Sequence, residues 1–323
     1  MTGEARRHQK TVRSAVRSPI GLRGAMLATM IAALWGGTPV AISFTVDELP
    51  PLMVAAIRFS LGALFMMIWC LVRGESLRLR RDQFVAVSSM GLLLFAQIAT
   101  FNIGIQRSSS SHATVLINLF VLWVAALEHF VTRQDRMSLR RLIGLVCAAS
   151  AGFLLMLLRS DQTGGMDHSS VTGDLILVFS SFILGIKILW TQAMLRRVPA
   201  GPLIFWHDVI GVMIFLGVSL LLEQSSFSGW KAETCFGLLY QGILVAGLCF
   251  AVQAYLLDRH PASQVSVFSC STPIFGIIAA VLLRADPVSN GLVLAAGFAA
   301  TGIWLVTQTG SSRNTNKNEG EGP

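Results

Sequence analysis

The residues of this sequence that could do chemistry are ionisable side chains inside long apolar runs. Lys187 lies in the run 182–190, and His207 and Asp208 lie in the run 205–209. An ionisable group near the centre of a membrane helix costs about 2.5–3.5 kcal/mol, so each one needs a reason to be there. Histidine, and lysine or aspartate removed from water, can gain or lose a proton near neutral pH. We therefore expect Lys187, His207 and Asp208 to handle a charged substrate or a proton.

A structural role is the alternative for the same side chains. At 1.5 Å per residue, Lys187 lies about 13 Å from Arg196, and Asp208 lies about 10 Å from the same side on the next, antiparallel helix. The two could therefore form an ion pair that only holds two helices together. Lys187 could also extend to the membrane surface.

The segment Trp35-Gly36-Gly37-Thr38-Pro39 predicts an interruption of the first apolar run, because proline removes a backbone donor and glycine loosens the turn. In transporters such interruptions expose backbone groups to a substrate or act as hinges. We expect these five residues to line a site or to form a hinge. Close helix packing through small residues is the alternative.

Four further side chains are candidates for a substrate or proton pathway: Asn102, Gln253, Glu128 and Tyr255. Asn102 and Gln253 occupy matching positions in two runs, as a symmetric pair facing a central cavity would. Glu128 lies near the end of a run, and Tyr255 could stack on an aromatic or cationic substrate. Hydrogen bonds between helices, contact with water and the membrane interface are the alternatives.

The composition places these candidates in a membrane protein. Of the 323 residues, 53% are hydrophobic and 13% are charged, and the mean hydropathy is +0.64. Soluble globular proteins carry about 25% charged residues, so a soluble enzyme is excluded. The net charge of +8 fits anionic lipid headgroups and topology better than nucleic acid. The five cysteines show no metal-ligand spacing, and we expect no metal and no cofactor.

Ten apolar runs are long enough to cross a bilayer, which needs about 20 residues for a helix. Apolar/polar alternation of the kind found in barrel strands does not occur in them, so the predicted fold is all-α. The runs are 24–46, 51–72, 84–106, 111–132, 138–158, 172–195, 201–222, 234–257, 263–283 and 288–308.

The basic residues predict how the ten runs are oriented. Lys and Arg in the loops and at the ends of the runs divide 19 to four between the two sides. Because basic loops stay cytoplasmic, both termini are predicted to be cytoplasmic in a multi-pass protein of the plasma membrane, which is the inner membrane in a bacterium.

A weak internal repeat divides the ten helices into five and five. A shift of 151 residues aligns Pro51-Leu52 with Pro202-Leu203, and Asp135 with Asp286. Five is an odd number, so the second half must be inverted relative to the first, with a cavity between the halves. The predicted parts are a basic tail 1–23, a repeat 24–158, a linker 159–171, a repeat 172–308 and a disordered tail 309–323.

Motifs in both halves resemble the EamA-type members of the drug/metabolite transporter superfamily. They are Leu34-Trp35-Gly36-Gly37-Thr38-Pro39, Ala56-Ile57-Arg58-Phe59, Arg259-His260-Pro261-Ala262-Ser263, Ser271-Thr272-Pro273 and Asp286-Pro287-Val288-Ser289. The resemblance implies structural roles for Arg58, Asp135, Pro273 and Asp286. The family usually has Thr-Pro in the fourth helix, whereas this chain has Val121-Leu122, so a Thr-Pro kink is expected only in the ninth.

The combined prediction is a secondary-active exporter of small metabolites, such as amino acids, amines or drugs, that works by alternating access. An integral membrane enzyme and an uncoupled facilitator or channel remain as alternatives. Metal-protease, nucleophile-elbow and Walker motifs are missing from the sequence, so we expect no enzymatic activity and no direct ATP drive. The expected partners are a small-molecule substrate and the bilayer, with monomer and homodimer both open.

Overall fold

A computed structural model describes residues 20–127, 143–144, 146–147, 150, 170–224, 231–260, 265, 268–285 and 290–308. The described residues are largely helical and include no strand. The α-helices are α1 (Leu22–Gly36), α2 (Thr38–Val46), α3 (Pro51–Val72), α4 (Arg81–Gln106), α5 (Ser110–Ile117), α6 (Phe120–Leu127), α7 (Val171–Met194), α8 (Ala200–Leu222), α9 (Ala232–Leu239), α10 (Phe250–Arg259), α11 (Thr272–Arg284) and α12 (Asn290–Gln308). A π-helical segment (Tyr240–Cys249) joins α9 to α10, and a 3-10 turn (Phe268–Ser271) precedes α11.

Six helical stretches are long and apolar enough to cross a membrane. They are Leu22–Val46, Pro51–Val72, Arg81–Gln106, Val171–Met194, Ala200–Leu222 and Ala232–Arg259. Three shorter apolar helical stretches are Ser110–Val124, Ile274–Arg284 and Val293–Gly302. These stretches fall on nine of the ten predicted runs, while most of the run 138–158 lies outside the described residues. The fold is therefore a helical membrane bundle, and the number of ten membrane helices stays a prediction.

The first membrane stretch is interrupted where the sequence predicts it. Helix α1 ends at Gly36, and α2 restarts at Thr38 with Pro39 in its first turn. Proline has no backbone donor for the preceding turn, which explains the break.

The fourth stretch is also interrupted, although it lacks the Thr-Pro pair that the family usually has there. Helix α5 ends at Ile117, and α6 begins at Phe120. The side-chain amide of Asn118 donates to the carbonyl of Thr114 at 2.7 Å, and the amide of Leu119 bonds three residues back to Leu116. An asparagine that bonds its local backbone competes with the α-helix, so no Thr-Pro pair is needed.

The helix contacts between the two halves of the chain come in matched pairs under the 151-residue shift. Helix α4 packs against α7. The shift relates α4 to the π-helical segment and α10, and relates α7 to α1. Both the π-helical segment and α10 pack against α1. Helix α3 packs against the π-helical segment, as its counterpart α8 packs against α4. The two corresponding helices α3 and α8 pack on each other.

The ends of α3 and α8 repeat the same arrangement. Glu223, after α8, accepts hydrogen bonds from the backbone amides of Leu52 (2.9 Å) and Met53 (3.1 Å) in the first turn of α3. Conversely Glu75, after α3, lies directly against Gly201 in the first turn of α8. Acidic groups stabilise helix N-termini because the first amides lack partners within the helix. Each half thus places a carboxylate at the start of a helix from the other.

Candidate functional site

A cavity of about 140 Å³ lies between the helices of the two halves. Its wall combines residues from both halves: Trp35, Thr38, Pro39, Arg58, Met90, Gln97, Ile98, Phe101, Ile117, Asn118, Phe120, Leu184, Lys187, Ile188, Thr191, Ile204, His207, Phe250, Gln253, Leu257, Ser269 and Thr272. The broken helices reach this wall: α1 and α2 through Trp35 to Pro39, and α5 and α6 through Ile117 to Phe120.

The predicted group Lys187, His207 and Asp208 comes together at the cavity. Lys187 and His207 line it and are 7% and 1% exposed, and Asp208 is fully buried behind the wall. The ammonium of Lys187 lies 5.0 Å from the centroid of the Phe250 ring, a cation–π geometry. His207 Nδ1 and Asp208 Oδ1 are 2.8 Å apart, although neither atom completes a hydrogen bond.

The expected Lys187–Asp208 pair is present only as a longer-range attraction. Among the described residues, Lys187 has no carboxylate within 4.0 Å, but Asp208 lies close enough to interact electrostatically with both Lys187 and Arg58. The Asp208 carboxylate is directed towards α3, because a Cβ atom built on Gly62 would lie 3.3 Å from Asp208 Oδ2. Asp208 therefore faces the helix that carries Arg58.

Arg58 lies in the cavity wall, whereas the resemblance implied a structural role for it. It is 3% exposed, and its Nε and Nη1 atoms have no hydrogen-bond partner. The inward direction of its side chain depends on how α3 packs between α8 and the π-helical segment. The structure thus adds Arg58 to the candidate site.

The interrupted first stretch divides its five residues between two roles. Trp35, Thr38 and Pro39 line the cavity, but Gly36 and Gly37 do not. A Cβ atom on Gly36 would lie 2.8 Å from the backbone nitrogen of Gly276 on α11. The lining role and the close-packing alternative therefore apply to different residues of one motif.

Tyr240, a residue that the sequence did not single out, stabilises the same interruption. Its hydroxyl donates a hydrogen bond of 2.5 Å to the carbonyl of Leu34, in the last turn of α1. Carbonyls in the last turn of a helix lack donors within that helix, so a side chain from another helix can supply one. Tyr240 begins the π-helical segment, which thereby connects to the break in α1–α2.

The amide side chains do not form the symmetric pair that the sequence suggested. Gln253 lines the cavity, but Asn102 instead donates to the carbonyl of Pro51 at 2.8 Å, at the start of α3. Gln97 reaches the wall one to two turns earlier on the same helix. A different matched pair, Asn118 and Ser269, lines the cavity from both halves. The 151-residue shift relates these two positions and could have identified them.

Tyr255 faces away from the cavity. The residue is 36% exposed, and the guanidinium of Arg259 stacks on its ring at 4.1 Å from the ring centroid. Pro273 is the second residue of α11. Glu128, Asp135 and Asp286 lie outside the described residues.

The cavity reaches towards the side on which α1 begins, the predicted cytoplasmic side. Thr191 in the last turn of α7, Ile204 in the first turns of α8 and Leu257 in the last turn of α10 all belong to its wall. Towards the opposite side, called the outer side below, Ile42 and Leu116 are packed in a continuous apolar cluster with residues of α3, α4, α7 and α9. The cavity is closed on the outer side.

Polar contacts strengthen the outer closure. Arg284 pairs with Asp47 at 2.6 Å, and Lys231 pairs with Glu48 at 2.6 Å. Thr234 donates a further 2.6 Å hydrogen bond to Glu48. The hydrogen bond from Lys231 is the largest cause that holds the pKa of Glu48 at about 2, below its usual 4.5. These contacts tie the end of α2 to the start of α9 and the end of α11.

A metal centre is not part of this arrangement. Within the described ranges, no group of three or more His, Cys, Asp or Glu side chains is placed to hold a metal ion. The chemistry that the cavity supports is reversible binding through cationic, amide and aromatic groups.

A multi-pass helical membrane protein with a buried, charged cavity is the class that the fold and the site define. The EamA-like transporter family matches residues 22–157 and 171–308, and the chain belongs to this family. Its two matched stretches correspond to the two halves that contribute to the cavity.

Curated relatives are transporters by name. "Uncharacterized transporter YoaV" of Bacillus subtilis is 22% identical over 284 residues, which cover 88% of this chain and 96% of that protein. "Probable amino-acid metabolite efflux pump" of Escherichia coli is 24% identical over 293 residues, 87% of this chain and 93% of the relative. A solved crystal structure superposes with a TM-score of 0.67 at 17% identity, covering 89% of this chain and 99% of that one, which supports the fold.

Proposed function

We propose that this protein is a secondary-active transporter that exports small metabolites by alternating access between two inverted five-helix repeats. The repeats are 24–158 and 172–308, and both termini lie on the cytoplasmic side of the plasma membrane. The substrates belong to the amino acids, amines or drugs, and the protein has no enzymatic activity.

The observation that carries the proposal is the cavity between the halves, with Arg58, Lys187 and His207 buried in its wall. Charged groups inside a membrane bundle are costly and mark substrate or ion pathways. In inverted-repeat transporters the substrate site lies near the membrane midplane at the interface of the repeats.

The matched contacts support the inverted repeat. Helices α3 and α8 pack on each other, and Glu223 and Glu75 each reach the start of the partner helix. Two halves related by an axis in the membrane plane produce such reciprocal contacts, because exchanging the halves exchanges the two sides of the membrane.

Alternating access requires a second arrangement in which the outer side opens and the cytoplasmic side closes. The structure has the outer side closed by the Asp47–Arg284 and Glu48–Lys231 contacts. The interruption at Gly37 and the π-helical segment beside it are where the helices can bend at least cost, since Pro39 has no backbone donor and the π-helical segment lacks α-helical hydrogen bonds. Export fits a site that is loaded from the cytoplasm, and a relative is named as an efflux pump.

Transport by proteoliposomes tests the proposal. The full-length protein is reconstituted, and uptake of labelled amino acids, amines and cationic dyes is followed with and without an imposed pH gradient. We expect accumulation that collapses with the gradient, because a secondary-active transporter couples the two. Equilibration without accumulation would show a facilitator or channel instead. Chemical conversion of a labelled compound without transport would show the membrane-enzyme alternative.

A further inference from the structure

We infer that the cavity binds a small organic anion with one carboxylate and an apolar body, held by Arg58 and Lys187. This inference rests on the proposed function, because it names the substrate class of the same site. It narrows the amino acids, amines and drugs to compounds that bring a negative charge into the cavity.

The guanidinium of Arg58 is the first half of the anion site. It lies at the cavity wall in a side chain that is 3% exposed, and its Nε and Nη1 atoms have no hydrogen-bond partner. Unpaired donors on a buried arginine are costly in a protein interior. The fork of guanidinium donors matches a carboxylate in two parallel hydrogen bonds.

The ammonium of Lys187 is the second half. It lines the same cavity from α7, is 7% exposed and lies near enough to Arg58 for the two charges to repel each other. The Phe250 ring that it contacts also lines the cavity, and this contact does not neutralise the charge. An anion between Lys187 and Arg58 would remove this repulsion and satisfy both groups.

Asp208 does not neutralise the pair. Arg58 and Lys187 both lie within electrostatic reach of this single carboxylate, so the formal charge of the group is +1 when all three side chains are ionised. The carboxylate is also directed towards Gly62 on α3 and is absent from the cavity wall. His207, which separates it from the cavity, adds no negative charge. A ligand with a negative charge therefore completes the electrostatic balance, whereas an amine would add a further positive charge.

The rest of the wall determines the body of the ligand. Trp35, Phe101, Phe120 and Phe250 line the cavity together with aliphatic side chains. A volume of about 140 Å³ is close to the roughly 150 Å³ of an engineered cavity that binds benzene. We therefore commit to a monocarboxylate with one ring or a short alkyl chain.

Binding of three compounds with one common body tests the inference. 3-Phenylpropanoate (an anion), phenylalanine (a zwitterion) and 2-phenylethylamine (a cation) are titrated against the purified full-length protein in detergent, by calorimetry and by the shift in melting temperature. We expect the anion to bind at least about 10-fold more tightly than the cation. Tighter binding of the cation than of the anion overturns the inference. So does the absence of anion binding at a ligand concentration of about 10 mM, which would detect even a weak complex.

Charge variants then assign the contacts. Arg58→Gln and Lys187→Gln should each weaken binding of 3-phenylpropanoate by about 30-fold, because each removes one partner of a buried charge contact. Arg58→Lys should lose less affinity than Arg58→Gln, because it keeps the positive charge although it cannot form two parallel hydrogen bonds to a carboxylate. Arg259→Gln, which removes a positive charge that lies on Tyr255 outside the cavity, should change nothing. Unchanged affinity in both glutamine variants overturns the inference, and if they fail to fold, the wild-type preference decides.

The same preparation separates this inference from the proposed function. If the protein accumulates amines or zwitterions against a gradient but does not bind the anion, the transporter proposal stands and the anion site is wrong. If the anion binds but neither labelled 3-phenylpropanoate nor any compound of the transport panel accumulates, the anion site stands and secondary-active transport is wrong.

Discussion

Lys187 combines a high cost of burial with a position at the interface of the two halves. Its ammonium contacts Phe250, attracts Asp208 and repels Arg58, so its charge depends on groups from three other helices. A lysine that only extended to the membrane surface would keep its charge in water. The buried position instead makes Lys187 responsive to any charge that enters the cavity.

Replacing Lys187 by alanine should abolish gradient-dependent transport while the protein remains folded. The ammonium is the group that would respond to a bound substrate or to a proton on Asp208, and the variant has an uncharged methyl group in its place. Proteoliposome accumulation measures transport, and size-exclusion elution and melting temperature measure folding. Arg259→Ala is the matched control for the loss of one positive charge. Wild-type accumulation by a folded Lys187→Ala protein would contradict a role in coupling.

At the scale of helices, the crossing of α1 and α11 depends on two glycines. A Cβ atom on Gly36 would lie 2.8 Å from the backbone nitrogen of Gly276, and one on Gly276 would collide with Thr114 on α5. Backbones approach so closely only where side chains are absent. Three broken or short helices thus meet beside the cavity, which is where a bend would change its shape.

Gly36→Ala should destabilise the protein by about 1–3 kcal/mol, because the added methyl group forces backbones apart. Gly217→Ala is the matched control, since it is also a helical glycine but has open space around its Cβ position. The control should be neutral or slightly stabilising, because alanine favours helix more than glycine does. Urea or thermal unfolding in detergent gives the comparison. Equal stability of the two variants would refute the close crossing.

Glu223→Ala should cost about 1 kcal/mol, the usual effect of removing a helix cap. Its carboxylate accepts hydrogen bonds from Leu52 and Met53 and from the Ser219 hydroxyl at 2.7 Å. Glu233→Ala, an exposed acidic residue in the first turn of α9, is the control. Melting temperatures of both variants decide the matter, and a smaller loss for Glu223→Ala than for the control would show that the cap is unimportant.

Helix positions followed from the sequence, but the direction of side chains did not. Hydrophobic length predicted the runs, and Pro39 predicted the break in the first one. Asn118 breaks the fourth run without a proline. It does so through a local hydrogen bond, which a search for Thr-Pro does not detect. Gln253 lines the cavity while Tyr255 is exposed, because residues two positions apart in a helix point about 200° away from each other. Which of them faces inward depends on contacts with other helices.

On the scale of the whole molecule, the closure on the outer side is partly electrostatic, so its pH dependence can be worked out. The pKa of Glu48 is lowered from 4.5 to about 2. The ionised contact with Lys231 therefore contributes its full stability above about pH 4.5 and loses it as the pH falls towards 2.

The difference in melting temperature between wild type and Glu48→Gln should consequently be constant from pH 7 to about 4.5 and shrink below it. Thermal unfolding of both proteins in detergent across this range measures the difference. Glu233→Gln, which removes a nearby carboxylate, is the control. A difference that already disappears between pH 7 and 5 would mean that Glu48 is not stabilised as an anion.

Weakening the outer closure should also shift the molecule towards an outward-open arrangement. Asp47 and Glu48 hold α2 to α11 and α9, so the double variant Asp47→Asn/Glu48→Gln lacks both charged contacts while the apolar cluster beneath them is retained. Exposed ion pairs are individually weak, and a change of roughly 2- to 5-fold in the open population is expected. A Thr38→Cys probe in a cysteine-free background reports it, because Thr38 lines the cavity. A membrane-impermeant thiol reagent applied from the outer side should label the double variant faster. Equal rates in the double variant and in Glu233→Gln would mean that the apolar cluster alone keeps the outer side closed.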